Sequence, residues 1–164
     1  MHFSATIDYT ADVETVATML ADPRYVARKA AATGALGSRE EVVRDGEAFT
    51  VTSRLKMPTT MIPAKFRSLV GETIEVVLIE AWAAPAADGS RSSTFSLDIH
   101  GVPVRVSGTQ HLAPSGAGTT ETYHGDVKAS IPLFGRPIEQ AAVNTVEKVV
   151  DVERRVALEY LAAP

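Results

Sequence analysis

From Ile138 to Leu161 the chain runs through twenty-four positions without proline or glycine, introduced by Pro132-Leu-Phe-Gly-Arg-Pro137. At about 100° per residue, Ile138, Ala142, Val146, Val149, Val152, Val156 and Tyr160 form one broad apolar arc. Gln140, Asn144, Lys148, Asp151, Arg154 and Arg155 fall opposite. A helix of this length with one apolar face must pack against a large apolar surface. Glu153 breaks the pattern, because it falls inside the arc between Val149, Val156 and Tyr160. A carboxylate there costs several kcal/mol unless it is paired, hydrated or neutralised. The helix therefore faces either a wet cavity or a cationic partner.

Nearly everything before that run reads as strand. Phe3, Ala5, Ile7 and Tyr9 alternate with polar residues, the period of a half-buried strand. Thr10 is the expected cap of a first helix with Val13, Val16, Ala17 and Leu20 as its stripe. Asp22-Pro23 starts a second short helix, stopped by Gly34. Asp45-Gly46 between Glu40–Arg44 and Ala48–Met57 signals a hairpin, with Phe49, Val51, Leu55 and Met57 on one face. Pro58 to Gly71 reads as a connection holding a one- or two-turn helix over Ala64–Val70. Strands follow over Thr73–Ala83, Ser92–His100, Val104–Leu112 and Thr119–Ile131, separated by glycine-containing turns.

This order of strand, helix pair, antiparallel meander and long helix selects a fold. The long helix must cross the concave face of the curved sheet, since that placement covers both apolar surfaces. The expected class is α+β of helix-grip type: about six or seven antiparallel strands wrapped on the C-terminal helix, with two short helices after the first strand. A chain of 164 residues fits one domain spanning 1–164.

Pairing the last two strands about Gly116-Ala117 sets Val106 opposite Val127, Gly108 opposite Gly125 and Gln110 opposite Tyr123. The turn at Gly101–Pro103 sets Ile99 near Val104, Leu97 near Val106 and Phe95 near Gly108, so both hairpins agree on the inner face. Facing glycines inside the sheet favour a bend and are expected to leave empty volume as a cavity floor.

Composition excludes several function classes. A net charge of −4 argues against a sequence-independent nucleic-acid binder. The basic cluster of Arg24, Arg28 and Lys29 is small. The chain has no cysteine, which removes disulfides, thiolate metal sites and cysteine nucleophiles. Met1–Asp8 lacks the basic stretch and apolar block of a signal peptide, and the expected location is cytoplasmic.

The element order, together with the lead-in Ile131-Pro-Leu-Phe-Gly-Arg-Pro-Ile-Glu139 and the helix end Glu153–Leu161, resembles the START-like (SRPBCC) superfamily. In particular it resembles a bacterial branch related to polyketide cyclase/dehydrase and lipid-transport proteins. The resemblance covers essentially the whole chain. It implies a deep apolar pocket between sheet and long helix for lipid-like, polyketide-like or aromatic molecules, and it carries no catalytic signature.

The inner faces supply the candidate ligand-binding residues: Trp82, Phe95, Leu97, Val106, Gln110, Tyr123, Val127, Val146, Val149, Glu153 and Val156. Gln110, Tyr123, Glu153 and Glu80 are the polar handles such pockets use. Arg54 or Arg67 is the expected partner of Glu153 if it is paired. The direction of Trp82 is ambiguous, because its strand is apolar on both faces.

His111 and His124 fall diagonally adjacent on the outer face, His100 is likewise outward, and no metal-ligand spacing accompanies them, so no metal site is expected. No Gly-x-Ser-x-Gly precedes a helix, and Gly116-Ala-Gly is a turn rather than a phosphate cradle. Three functions follow. The first is binding or carriage of a hydrophobic small molecule, with no cofactor, nucleic acid or stable membrane insertion, by a monomer or homodimer. The second is a cyclase, dehydratase or hydrolase using Glu153 or Glu80 as acid or base, with Tyr123 holding an oxygen. The third is an interaction protein with a vestigial pocket.

Overall fold

A computed structural model describes residues 1–163. Seven strands form one antiparallel sheet: β1 (His2–Tyr9), β2 (Gly37–Asp45), β3 (Ala48–Pro58), β4 (Thr73–Trp82), β5 (Arg91–Ile99), β6 (Val104–Ser115) and β7 (Gly118–Ala129). Their spatial order is β1-β7-β6-β5-β4-β3-β2. The chain crosses from one edge to the other through α1 (Val13–Leu20) and α2 (Pro23–Ala32). A single turn of 3-10 helix at Thr59–Met61 and the short α3 (Ala64–Arg67) lie between β3 and β4, and the long α4 (Gly135–Ala162) closes the order. This is the helix-grip architecture expected from the order of elements.

The helix starts follow local chemistry, with one correction. Asp12, not Thr10, caps α1, its carboxylate accepting the Thr15 N–H at 2.8 Å. Asp12 leaves three residues to Thr15, the spacing an aspartate cap needs to satisfy a free first-turn N–H. Asp22 caps α2 ahead of Pro23. The α4 lead-in is tied to the sheet by Glu139, whose carboxylate accepts the Ala129 N–H at 3.1 Å.

Both inner hairpins pair as the turns require: Val106 faces Val127, Gly108 faces Gly125 and Gln110 faces Tyr123, while Leu97 faces Val106 and Phe95 faces Gly108. The glycines, however, do not form a cavity floor. A Cβ at Gly108 would lie 2.0 Å from the His124 carbonyl oxygen, and one at Gly125 would lie 2.5 Å from the Phe3 ring and 3.0 Å from the Phe95 ring. Glycine here allows β6 and β7 to pinch together, and the two aromatic rings fill the volume it vacates.

Two apolar regions result. One is a solid core of β1, α1, α2 and one end of the sheet, containing Tyr9, Tyr25, Phe49, Trp82 and Leu112. The other is smaller, built from Phe3, Val104, Val106, Val127 and Val143. The main contacts of α4 are with α2, β7 and β1. Its most buried apolar residues are Val143, Val150, Val156 and Ala157. The buried centre is thus rotated from the sequence-read arc, leaving Val146 and Val149 half-buried on the flank turned towards β4 and β5.

Gly108→Ala is expected to lower stability by about 1–3 kcal/mol, because a backbone carbonyl cannot rotate away as a side chain could. The urea midpoint of the variant measures it.

Candidate functional site

Between α4 and strands β3 to β6 lies a cavity of about 550 Å³. Its walls are Leu55, Val76, Leu78, Phe95, Leu97 and Val106 from the sheet and Ala142, Val146, Val149 and Val150 from α4. Its lining is exposed towards α3, the β5–β6 turn and the start of α4, where Leu69 is exposed and Ile62, Val102 and Ile138 are half-buried, and sealed at the other end, where Lys29, Glu80, Gln110 and Glu153 are buried. Phe66 meets Phe134 edge-on with ring centroids 6.2 Å apart, which ties the α3 segment to the α4 lead-in. The α3 segment therefore roofs a part of the sheet that α4 does not reach.

Polar groups gather at the closed end. Lys29 on α2 places its ammonium 3.0 Å from Glu153 Oε1 and 3.5 Å from Glu80 Oε2. Gln110 Nε2 donates to Glu80 Oε1 at 3.0 Å and to Glu121 Oε1 at 3.4 Å, and Ser93 Oγ donates to Gln110 Oε1. Tyr9 donates its hydroxyl to Glu121 Oε2 at 2.6 Å. Lys29, Glu80, Gln110, Tyr123 and Glu153 line the cavity, whereas Glu121 and Tyr9 stand behind them. Every member of this cluster is buried. The Tyr123 hydroxyl lies near Glu121 but has no partner at hydrogen-bonding geometry.

The electrostatics follow from burial. Burial opposes the Lys29 charge, but the adjacent Glu153 and Glu80 carboxylates overcome it and hold the ammonium well above its ordinary value. Burial, followed by the Glu153 charge, pushes the Glu121 carboxyl up to about 8. Burial and the Glu121 charge raise Tyr123, so its phenol stays protonated. The cluster thus holds one permanent cation and carboxylates that cannot all ionise cheaply.

The partner of Glu153 is Lys29, not Arg54 or Arg67. Arg54 is exposed on the outer face of β3, and Arg67 donates instead to the Ile62 and Thr60 carbonyl oxygens. Of the sequence-derived candidates, Phe95, Leu97, Val106, Gln110, Tyr123, Val146, Val149, Glu153 and Glu80 border the cavity. Trp82, Val127 and Val156 do not. Trp82 points inward but lies one inner position beyond Glu80, stacked on Phe49 with centroids 6.1 Å apart in the solid core. Val156 belongs to the same core, beyond Glu153 on α4, and Val127 is sealed in the cluster that holds Phe3 and Val143.

Sequence periodicity missed Lys29 and Glu121, although both carry the signal that exposed Glu153. Lys29 follows Tyr25 by four residues and Val26 by three, which puts it on the buried face of α2. Glu121 shares strand parity with Thr119, Tyr123 and Val127, all inward. The histidines stand outside: His111 and His124 are exposed, His111 beside Ser92 Oγ at 3.1 Å and His124 stacked on His2. Among the described residues no group of three or more His, Asp or Glu is placed to hold a metal ion, and no helix is long and apolar enough to cross a membrane.

The sequence matches the family described as "Protein of unknown function (DUF2505)" over residues 4–161. The chain belongs to that family. No curated protein matches it. Among solved structures, a STAR-related lipid transfer protein fragment from Xanthomonas axonopodis aligns with TM-score 0.64 at 18% identity, over 95% of this chain and 85% of that one. The Thermus thermophilus protein TTHA0849 aligns with TM-score 0.63 at 18% identity, over 98% and 99% of the two chains. A START superfamily protein from Mycobacterium smegmatis aligns with TM-score 0.57 at 18% identity, over 98% and 99%. This DUF2505 chain therefore has the START-like fold expected from its sequence.

Two predictions follow from the ion cluster. Lys29→Met leaves Glu80 and Glu153 without their cation and is expected to cost about 3–5 kcal/mol near neutral pH. Urea titration of the variant beside the parent protein measures the loss. In the parent protein, Glu121 is raised in the folded state from 4.5 to about 8, so its contribution is complete below the lower value. Stability from this group is lost as pH rises through that window, because the folded state then binds more protons than the unfolded state. Glu121→Gln should flatten that part of the pH–stability curve.

Proposed function

We infer that this DUF2505 protein binds a hydrophobic small molecule, a lipid-like or polyketide-like compound, in the cavity between sheet and α4. The observation that carries the reading is the cavity itself. Folded interiors are packed with few voids larger than a water molecule, and a hollow of about 550 Å³ with apolar walls is a departure in need of an occupant. Its volume falls within the range of about 300–1,000 Å³ common to small-molecule sites, and its few convergent polar groups fit the usual composition of such sites.

The distribution of chemistry adds support. Apolar wall extends from the open end inward, and charge appears only at the closed end. A guest with an oily body and one polar head fits that gradient in a single orientation. The structural neighbour named as a STAR-related lipid transfer protein agrees with this reading. A vestigial pocket fits less well, since a chain without a ligand gains stability by filling such a space.

Titration of the purified protein with Nile red, a neutral hydrophobic dye, tests the proposal. Saturable one-to-one binding is expected, and Val149→Trp, which projects a large ring into the cavity, should weaken it about tenfold or more while leaving the folded circular dichroism spectrum intact. Absence of saturable binding, or binding indifferent to the tryptophan, would overturn it.

A further inference from the structure

The closed end of the cavity is rich in acceptors and poor in free donors. The Lys29 ammonium is engaged by Glu153 and Glu80, and Gln110 Nε2 is engaged by Glu80 and Glu121. The Gln110 carbonyl is taken by Ser93. What stays open towards the cavity is Glu153 Oε2, which among the described residues receives no hydrogen bond. The Tyr123 hydroxyl is sealed behind it, beside Glu121, and offers the cavity no surface.

Charge points the same way as hydrogen bonding. Two carboxylates, Glu80 and Glu153, flank one ammonium and a third, Glu121, joins them through Gln110, which leaves the cluster negative by two when all are ionised and by one when Glu121 holds its proton. Burial and neighbouring carboxylate charge press Glu121 towards its neutral form, as expected where negative charge is in excess. A carboxylate or phosphate head group arriving here would add to that excess and would compete with Glu153 and Glu80 for Lys29. A cationic head group would reduce it.

We propose that the closed end of the cavity is a head-group subsite for the protonated primary amine of a long-chain amphiphile, with Glu153 Oε2 accepting its N–H groups beside Glu80. This rests on the cavity reading above and names the chemical class of the guest. An alkylammonium has an ordinary pKa near that of lysine, about 10.4, and enters as a cation at neutral pH. Its N–H donors suit the open carboxylate oxygen of Glu153, and its alkyl chain takes the apolar wall.

Dodecylamine, dodecanol and dodecanoate share one chain and differ only in the head group. Competition of each against Nile red at pH 7, with the unmodified protein, separates the terms. Dodecylamine is expected to bind about tenfold more tightly than dodecanol, with dodecanoate weakest. Glu153→Gln, which keeps shape and removes charge, should erase most of the preference for the amine over the alcohol without abolishing alcohol binding, and Tyr123→Phe, whose hydroxyl does not reach the cavity, should leave it in place. The comparison of the three ligands on the parent protein stands even if neither variant folds. Dodecanoate binding as tightly as the amine, or an amine no tighter than the alcohol, overturns the head-group assignment while leaving the cavity reading in place. Failure of all three to displace a dye that binds saturably overturns the head-group assignment alone, and absence of saturable dye binding removes the assignment together with the reading on which it rests.

Discussion

Lys29 joins three separate parts of the chain inside the protein: α2, which carries it, β4 through Glu80, and α4 through Glu153. Each ion taken out of water costs several kcal/mol, and that cost is offset only where the charges meet at close range with their remaining atoms bonded. Gln110, Ser93, Glu121 and Tyr9 supply much of that bonding. Removing any one ion would strand the others, so the crossing of α2 and α4 over the sheet is held at one point by electrostatics rather than by apolar contact alone.

That ionic junction also sets where the hollow ends. Beyond it, Trp82, Phe49, Leu112 and the helices α1 and α2 pack into a solid core. On its other side α4 stays with β1 and β7 while the middle of the sheet curves away, and the α3 segment covers part of the gap. A long rigid helix can follow one side of a strongly curved sheet but not its whole concave surface. The volume between is the cavity, oily along its length and charged at its closed end.

The local elements and both inner hairpins were legible because their signals are short-range. Asp45-Gly46, Gly101–Pro103 and Gly116-Ala117 fix register by turn geometry, and alternation then assigns every side chain on β5 to β7 to a face. Glu153 was legible as an anomaly on an apolar arc. Lys29 and Glu121 obey the same periodicities, and they passed unnoticed because a single charge in a short helix or in a mixed strand stands out less than one on a long apolar stripe. Trp82 was not legible: β4 is apolar on both faces, and only its pairing with β3 and β5 orients the ring inward.

The amino-acid order was sufficient for the helix-grip arrangement, the inner face of the meander and the buried carboxylate on α4, since each depends on periodicity or on turns of a few residues. Which cation meets that carboxylate, where the hollow lies and which apolar side chains border it were decided by tertiary packing. Glu153 and Lys29 are far apart along the chain and become neighbours only when α2 and α4 cross. The glycine pair illustrates the same division: its register follows from turns, but whether its vacated space is empty depends on Phe3 and Phe95 arriving from two other strands. Local rules specify direction and periodicity, while the volume left between elements depends on how all of them curve together.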